Sequence, residues 1–400
     1  MAKTLAEEFG IFRSFFWPIH GREVRKIVPM ILMCFLICFN YSILRNMKDA
    51  VVITASGAEV IPFIKVWVLL PMAILLTYVF TKLSNKFSQE RVFYIMTTAF
   101  LLFFGLFAFI IYPLRDQIHP HQFALDLENA LPSGFYGLIE MFRHWSSTLF
   151  YVIAELWSSI VFSVLFWGFA NEITKVAESR RFYAVLSIAS NLAAIAAGYV
   201  GNLLSIGDEL NPRLPFGATA WEQTTMMLTV LVILSGIAVM GAFRWMNRNV
   251  LNDPSYDELH FTRSEIKRKK QKLSMRQSFS LLSNSKYLIC IAVIVVAYNL
   301  VINIVEITWK DQLMLLYPNP SDYHHYTNTL TSFIGIIATI SAFFMAIMIS
   351  RFGWTWVAMI TPVIMLVTSI GFFTFYFFQD SLAGFVTTLF GTTPLALVVF

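Results

Sequence analysis

The chain has 400 residues, of which 57% are hydrophobic and only 13% charged, and its mean hydropathy is +0.66. Soluble domains carry about a quarter charged residues, so this composition excludes a soluble globular protein and reads as a polytopic membrane protein. A net charge of +5 could suit nucleic acid, but the basic residues fall mainly in short loops between apolar runs, which reads as membrane topology, and no nucleic-acid partner is expected.

The first 26 residues form an N-terminal segment with early acidic residues, Glu7 and Glu8, and no small-residue cleavage site. It does not resemble a targeting peptide. The aromatic cluster Phe9, Phe12, Phe15, Phe16 and Trp17 suits a segment lying on the membrane surface. A span needs about 20 apolar residues, and ten runs qualify: 27–45, 62–82, 92–113, 146–170, 183–204, 224–245, 286–309, 328–350, 354–378 and 383–400. The last is still apolar at Phe400, so further spans are expected after it. Cys34, Cys38 and Cys290 all sit in apolar runs and offer no disulfide framework or metal spacing. No cofactor is expected.

Basic residues set the topology. Arg22, Arg25 and Lys26 precede span one, Lys82, Lys86 and Arg91 join spans two and three, and Lys175, Arg180 and Arg181 join four and five. Arg351 joins eight and nine. All fall on one side, which places the N-terminus in the cytoplasm. After the six spans of residues 27–246 comes a long basic linker, 247–285, containing KRKK at 267–270, and then a C-terminal half from 286 to 400. The linker suits anionic headgroups. Six spans, a cytoplasmic linker and more spans is the organisation of a two-half transporter.

Several spans carry polar residues that a bilayer penalises. Glu155 lies in the fourth, with Ser158, Ser159 and Ser163 on its helical face. Span seven carries Asn299, Asn303, Glu306 and Lys310 at i, i+4, i+7 and i+11. That stripe fits a water-filled path, or an i, i+4 ion pair with asparagines bonding across helices. Lys65 follows Pro62 at the start of span two, where it could also snorkel to the interface. Tyr41, Arg45 and Lys48 share a face near the end of span one, placed either to anchor the helix or to line a path. Ser187, Asn191, Gly198 and Asn202 form a stripe in span five that suits packing first and a pocket second. Buried cations attract a polyanion, and the many aromatic residues could stack on a flat ring. A phosphorylated, ring-bearing solute is permitted by these residues, though their spacing alone does not select one.

The segments FFWPIH, NYSILRNMKDAVVIT, AEVIPFIKVW, TKLSN, YPLRDQIHP, AELWSSIVFSVLFWGFANEITK, RFYA, RWMNRNVLNDP, YNLVINIVEITWKDQL and RFGW spread over almost the whole chain. Together they resemble the bacterial and plastid ATP/ADP translocases, as in chlamydiae and rickettsiae. The resemblance implies an all-α, major-facilitator-like fold of twelve spans in two six-span halves, ten of them visible here. It also implies exchange of ATP for ADP, or in some members proton-coupled import of nucleoside triphosphates such as GTP, UTP or ATP. The family's functional charged residues carry over to Lys65, Glu155 and Glu306. Two departures lie near the path: LRNMKD stands for a more usual LRDTKD, which removes a carboxylate beside Lys48, and AELWSS stands for AELWGS.

A membrane enzyme is the rival from another class, since His121 and Asp126 have the H-x4-D spacing of some acyltransferases. A non-transporting scaffold would leave the polar stripes of spans four and seven unexplained. No G-x4-G-K-[ST] motif for binding ATP phosphates is present, so transport is expected to be secondary. The expectation is a monomeric, non-enzymatic nucleotide transporter of a bacterial inner membrane. Its substrate-binding residues are Lys65, Glu155, Glu306, Arg45, Lys48, Asn299, Asn303, Lys310 and Asn191, its partners are ATP, ADP and the lipid bilayer, and protons are a possible co-substrate.

Overall fold

The computed structural model describes residues 17–205, 207, 209–251 and 285–399. Residues 1–16 of the expected N-terminal surface segment and almost all of the basic linker lie outside the described residues. Every regular element among the described residues is helical. In a bilayer an unpaired backbone group has no water to satisfy it, and a helix pairs its own.

In chain order the helices are α1 Val24–Ser56, α2 Val60–Lys86, α3 Gln89–Ile111, the short α4 Arg115–Ile118, α5 His121–Ala130, α6 Tyr136–Arg143, α7 Trp145–Ile173, α8 Val176–Leu204 and α9 Ala220–Asn249. They continue with α10 Lys286–Leu316, α11 Pro320–Phe352, α12 Trp354–Phe377, α13 Gln379–Phe390 and α14 Pro394–Val399. Helix α1 ends at Gly57, whose φ of 80° favours a residue without Cβ. Three helices change to π register: α2 over Ile64–Leu69, α3 over Phe107–Ile111 and α7 over Trp157–Phe166. In α2 the cause is close at hand. Pro71 cannot donate to the carbonyl four residues back, and the Leu70 amide instead reaches five residues back, to the Lys65 carbonyl.

The chain divides into two compact units. In the first, residues 17–251 with 317–357, helix α1 is the hub and packs against α7, α8, α9 and α11. Its core includes Ile27, Met33, Ile37, Ile43 and Met47. Aromatic rings fill the space between α3 and α7, where Phe107 stacks on Phe150 at 4.1 Å and Trp157 meets Phe100 and Phe104. Trp157 is fully buried and donates its indole N–H to the Ile37 carbonyl at 3.1 Å. Helix α2 is peripheral and leaves Trp67, Ile74 and Tyr78 exposed. In the second unit, 285–316 with 358–399, α10 packs against α14 and Trp309 donates to the Val399 carbonyl at 3.2 Å.

The expected ten visible spans of a twelve-span, major-facilitator-like fold in two six-span halves are corrected here. Among the described residues eight helices are long and apolar enough to cross a membrane: Gly21–Ser56, Val60–Lys86, Gln89–Ile111, Trp145–Ile173, Arg181–Leu204, Ala220–Asn249, Lys286–Leu316 and Thr355–Phe377. The expected span 328–350 falls in α11, whose first turns read SDYHHYTNTLTS. That polar stretch belongs to the first unit, where α11 packs on α8 and α1. The expected span 383–400 is broken at Gly391, with φ 65°, and restarts at Pro394, leaving a 12-residue helix and a 6-residue one. A 12-residue helix is about 18 Å long, short of a hydrocarbon core of about 30 Å.

Candidate functional site

Span one does not stop near residue 45. Helix α1 runs on to Ser56 and carries Lys48 into the interior. Its ammonium lies 2.9 Å from Asp49 Oδ1 and 3.3 Å from Glu155 Oε2, and it sits 3.8 Å from the centre of the Tyr151 ring. The ammonium donates a hydrogen bond to Asp49, pairs with Glu155 and faces the Tyr151 ring. The Lys48 side chain is 3% exposed, Asp49 7% and Glu155 30%. In so dry a place a cation persists only when paired. Tyr41 stands in the same field, near Glu155, Arg45 and Lys48. One cation and two carboxylates leave a formal charge of −1 on the Lys48, Asp49 and Glu155 cluster.

Lys65 is half-buried and lies within the π segment of α2, which packs against the part of α7 that carries Glu155. The π segment of α7 begins two residues after Glu155. There Ser163 donates to the Ser158 carbonyl, five residues back, and Ser158 to the Glu155 carbonyl. The expected serine stripe thus follows a wider helical turn than 3.6 residues. π segments inside α-helices concentrate at functional sites, and two of three here flank charged residues expected in the path. Arg45 is exposed. At the departure in LRNMKD, the Asn46 amide donates to Asn328 Oδ1 at 2.7 Å and to Thr331 at 3.1 Å.

The stripe on α10 is resolved in the second unit. Asn299 and Asn303 each donate to the carbonyl four residues back in their own helix, at 2.8 and 2.7 Å. Glu306 and Lys310 pair at 2.9 Å, and Lys310 is buried. Asn191 lies on α8 against α11, where a Cβ on Gly335 would meet its carbonyl. The stripe it belongs to is a packing face: Asn202 donates to Thr329 at 2.8 Å. Among the residues missed in the sequence, Asp49 and Tyr151 complete the Lys48 site. Tyr151 precedes Glu155 by four residues, so the two share a face, a signal that was available.

His121 and Asp126 do not form a dyad. Five residues apart on α5, they point about 140° from one another. Asp126 accepts from Gln122 at 3.5 Å, while His121 stands against the rings of His119 and His144. Charged pairs tie the starts of α1 and α8: Lys26 meets Glu178 at 2.8 Å, and Arg181 grips Glu23 with both terminal nitrogens, at 2.7 and 2.6 Å. The basic starts of α1 and α8 therefore lie together.

The model of the TLC ATP/ADP transporter family matches residues 2–400. The chain is similar to ADP,ATP carrier protein 1 of Chlamydia pneumoniae, 42% identical over 402 residues that cover 100% of this chain and 77% of the relative. ADP,ATP carrier protein 1 of Rickettsia bellii is 37% identical over 400 residues, covering 100% and 78%. The chloroplastic ADP,ATP carrier protein 1 of Arabidopsis thaliana is 39% identical over 387 residues, covering 96% and 60%. No solved structure matches the chain. With a family model matching almost every residue, and relatives above 30% identity along its full length, the chain belongs to the TLC ATP/ADP transporter family.

Proposed function

We propose that the protein is a secondary-active antiporter that exchanges ATP for ADP across a membrane by alternating access. The observation that carries this reading is membership of a transporter family along residues 2–400. The charged cluster of Lys48, Asp49 and Glu155 inside an apolar helix group supports it, because such a cluster is costly unless solute contacts it. Lys65 holds the phosphates, assisted by Lys48 or Arg45. Glu155 in the first unit and, separately, Glu306 in the second set local charge balance, and Asn299, Asn303 and Lys310 are substrate-binding residues of α10. Asn191 contributes by fixing α8 against α11. The protein acts as a monomer in a bacterial inner membrane. Its N-terminus is cytoplasmic, a reading supported by the basic cluster where α1 and α8 begin.

The test is uptake of labelled ATP into bacteria expressing the protein, with and without a protonophore, followed by a chase with external ADP. Exchange predicts release of label by ADP and little effect of the protonophore. The second reading, proton-coupled import of nucleoside triphosphates, is favoured by the partly exposed Glu155, which could carry a proton. It predicts the reverse pattern. Lys65→Ala should abolish uptake while the protein still inserts, and normal uptake by that variant would refute the role of Lys65.

A further inference from the structure

We infer that Asp49 is a positioning residue for transport: it is the permanent counter-ion of Lys48, and it frees Glu155 to be the partner that a nucleotide phosphate displaces. This rests on the exchange reading above.

The two carboxylates on Lys48 are not equivalent. Asp49 is the next residue on the same helix, is almost fully buried, and makes the shorter contact at 2.9 Å. Glu155 reaches across from α7, keeps 30% of its side chain exposed, and lies at 3.3 Å. The Tyr151 ring closes the remaining side of the ammonium at 3.8 Å. A phosphate oxygen and a carboxylate oxygen both accept a charge-assisted N–H. An incoming phosphate can therefore take the place of the Glu155 oxygen while Asp49 and the ring stay where they are. Without Asp49, the same step would pass through a Lys48 with no carboxylate in a site where an unpaired charge is strongly disfavoured. Glu155 thus acts as an internal competitor. It occupies Lys48 when the site is empty, yields to the phosphate, and returns to expel it. The ligand recognised in this way is the di- or triphosphate of a nucleotide, with the Lys48 contact made to a phosphate oxygen.

The experiment is equilibrium binding of labelled ADP to the full chain purified in detergent, with exchange measured in proteoliposomes. Glu155→Gln removes the competitor's charge, so ADP should bind about five-fold or more tightly while exchange slows. Asp49→Asn leaves Lys48 clamped by Glu155 alone, so ADP should bind about five-fold or more weakly, and Asp49→Glu should retain affinity. The double variant Asp49→Asn/Glu155→Gln should recover affinity to within about two-fold of the parent. A purely structural Asp49 predicts no such recovery. Thermal unfolding of each variant checks that it is folded, and if Asp49→Asn is not, the Glu155→Gln result decides. A folded Glu155→Gln protein that binds ADP no more tightly than the parent overturns the proposal, as does a double variant as weak as Asp49→Asn. A parent protein that binds no ADP at all overturns the exchange reading as well, so the two failures are told apart.

Discussion

Lys48 and Trp157 show how much a single buried polar group depends on what surrounds it. Lys48 rests on the Tyr151 ring, and a desolvated cation over an aromatic face is worth about 2 kcal/mol or more. Tyr151→Leu should therefore lower the unfolding temperature in detergent and weaken nucleotide binding by about ten-fold, whereas Tyr151→Phe, which keeps the ring, should do much less to binding. Trp157 holds the Ile37 carbonyl of the hub helix. Trp157→Phe removes a second bond to a carbonyl that α1 already pairs, so it should cost about 0.5 to 1.5 kcal/mol, and thermal unfolding would report it. Of these residues the sequence exposes Lys48 and Glu155 as unusual, since each is a charge in an apolar run. It cannot say that they meet. They lie 107 positions apart, and only the packing of α1 on α7 brings them to 3.3 Å.

At the scale of elements, the contact between α8 and α11 is set by missing side chains. A Cβ on Gly198 would overlap Ser332 Oγ and the Asn328 carbonyl, and one on Gly201 would meet the Asn328 amide. Close approach of this kind is what small residues permit between membrane helices. Gly198→Leu should force the two helices apart and sharply reduce the yield of folded protein. Gly241 offers the contrast, since nothing lies within 4 Å of its Cβ position on α9. Gly241→Ala should be neutral, or stabilise by up to about 1 kcal/mol through helix propensity, and comparing the unfolding temperatures of the two variants tests the assignment. The stripe Ser187, Asn191, Gly198 and Asn202 was legible as packing from residue size and period. Its partner was not, because α11 follows more than 100 residues later and its polar first half does not read as a helix that would join the first six.

For the molecule as a whole, two buried histidines outside the candidate spans make stability depend on pH. Burial pushes His119 down to about 4, reinforced by His144 and His121, with Arg115 adding to the effect and Asp116 opposing it. Burial likewise pushes His324 down to about 3, with His325 adding to it. An unfolded histidine takes up its proton near pH 6.5. Above that pH both states are neutral and these residues confer no pH dependence. Between pH 6.5 and 4 the unfolded chain binds more protons, so stability falls as pH falls. The unfolding temperature should be flat from about pH 8 to 6.5 and decline below it, and His119→Gln with His324→Gln should flatten that decline. A decline of the same steepness in the double variant would count against both assignments.

Composition by itself established a helical, multi-pass membrane protein, because long apolar runs can satisfy their backbone in lipid only as helices. The spread of family-like segments along the chain led to the transporter family, and the rarity of charge in apolar runs singled out Lys48, Lys65, Glu155 and Glu306. Tertiary structure decided the rest. Hydropathy counts residues without their partners, so it continued a span across the break at Gly391 and Pro394. It also ended span one too early, because a lysine looks like a boundary until its counter-ions are seen. Whether a buried charge anchors a helix, pairs along it as Glu306 and Lys310 do, or joins distant helices as Lys48 and Glu155 do is fixed by which side chains packing brings within about 4 Å.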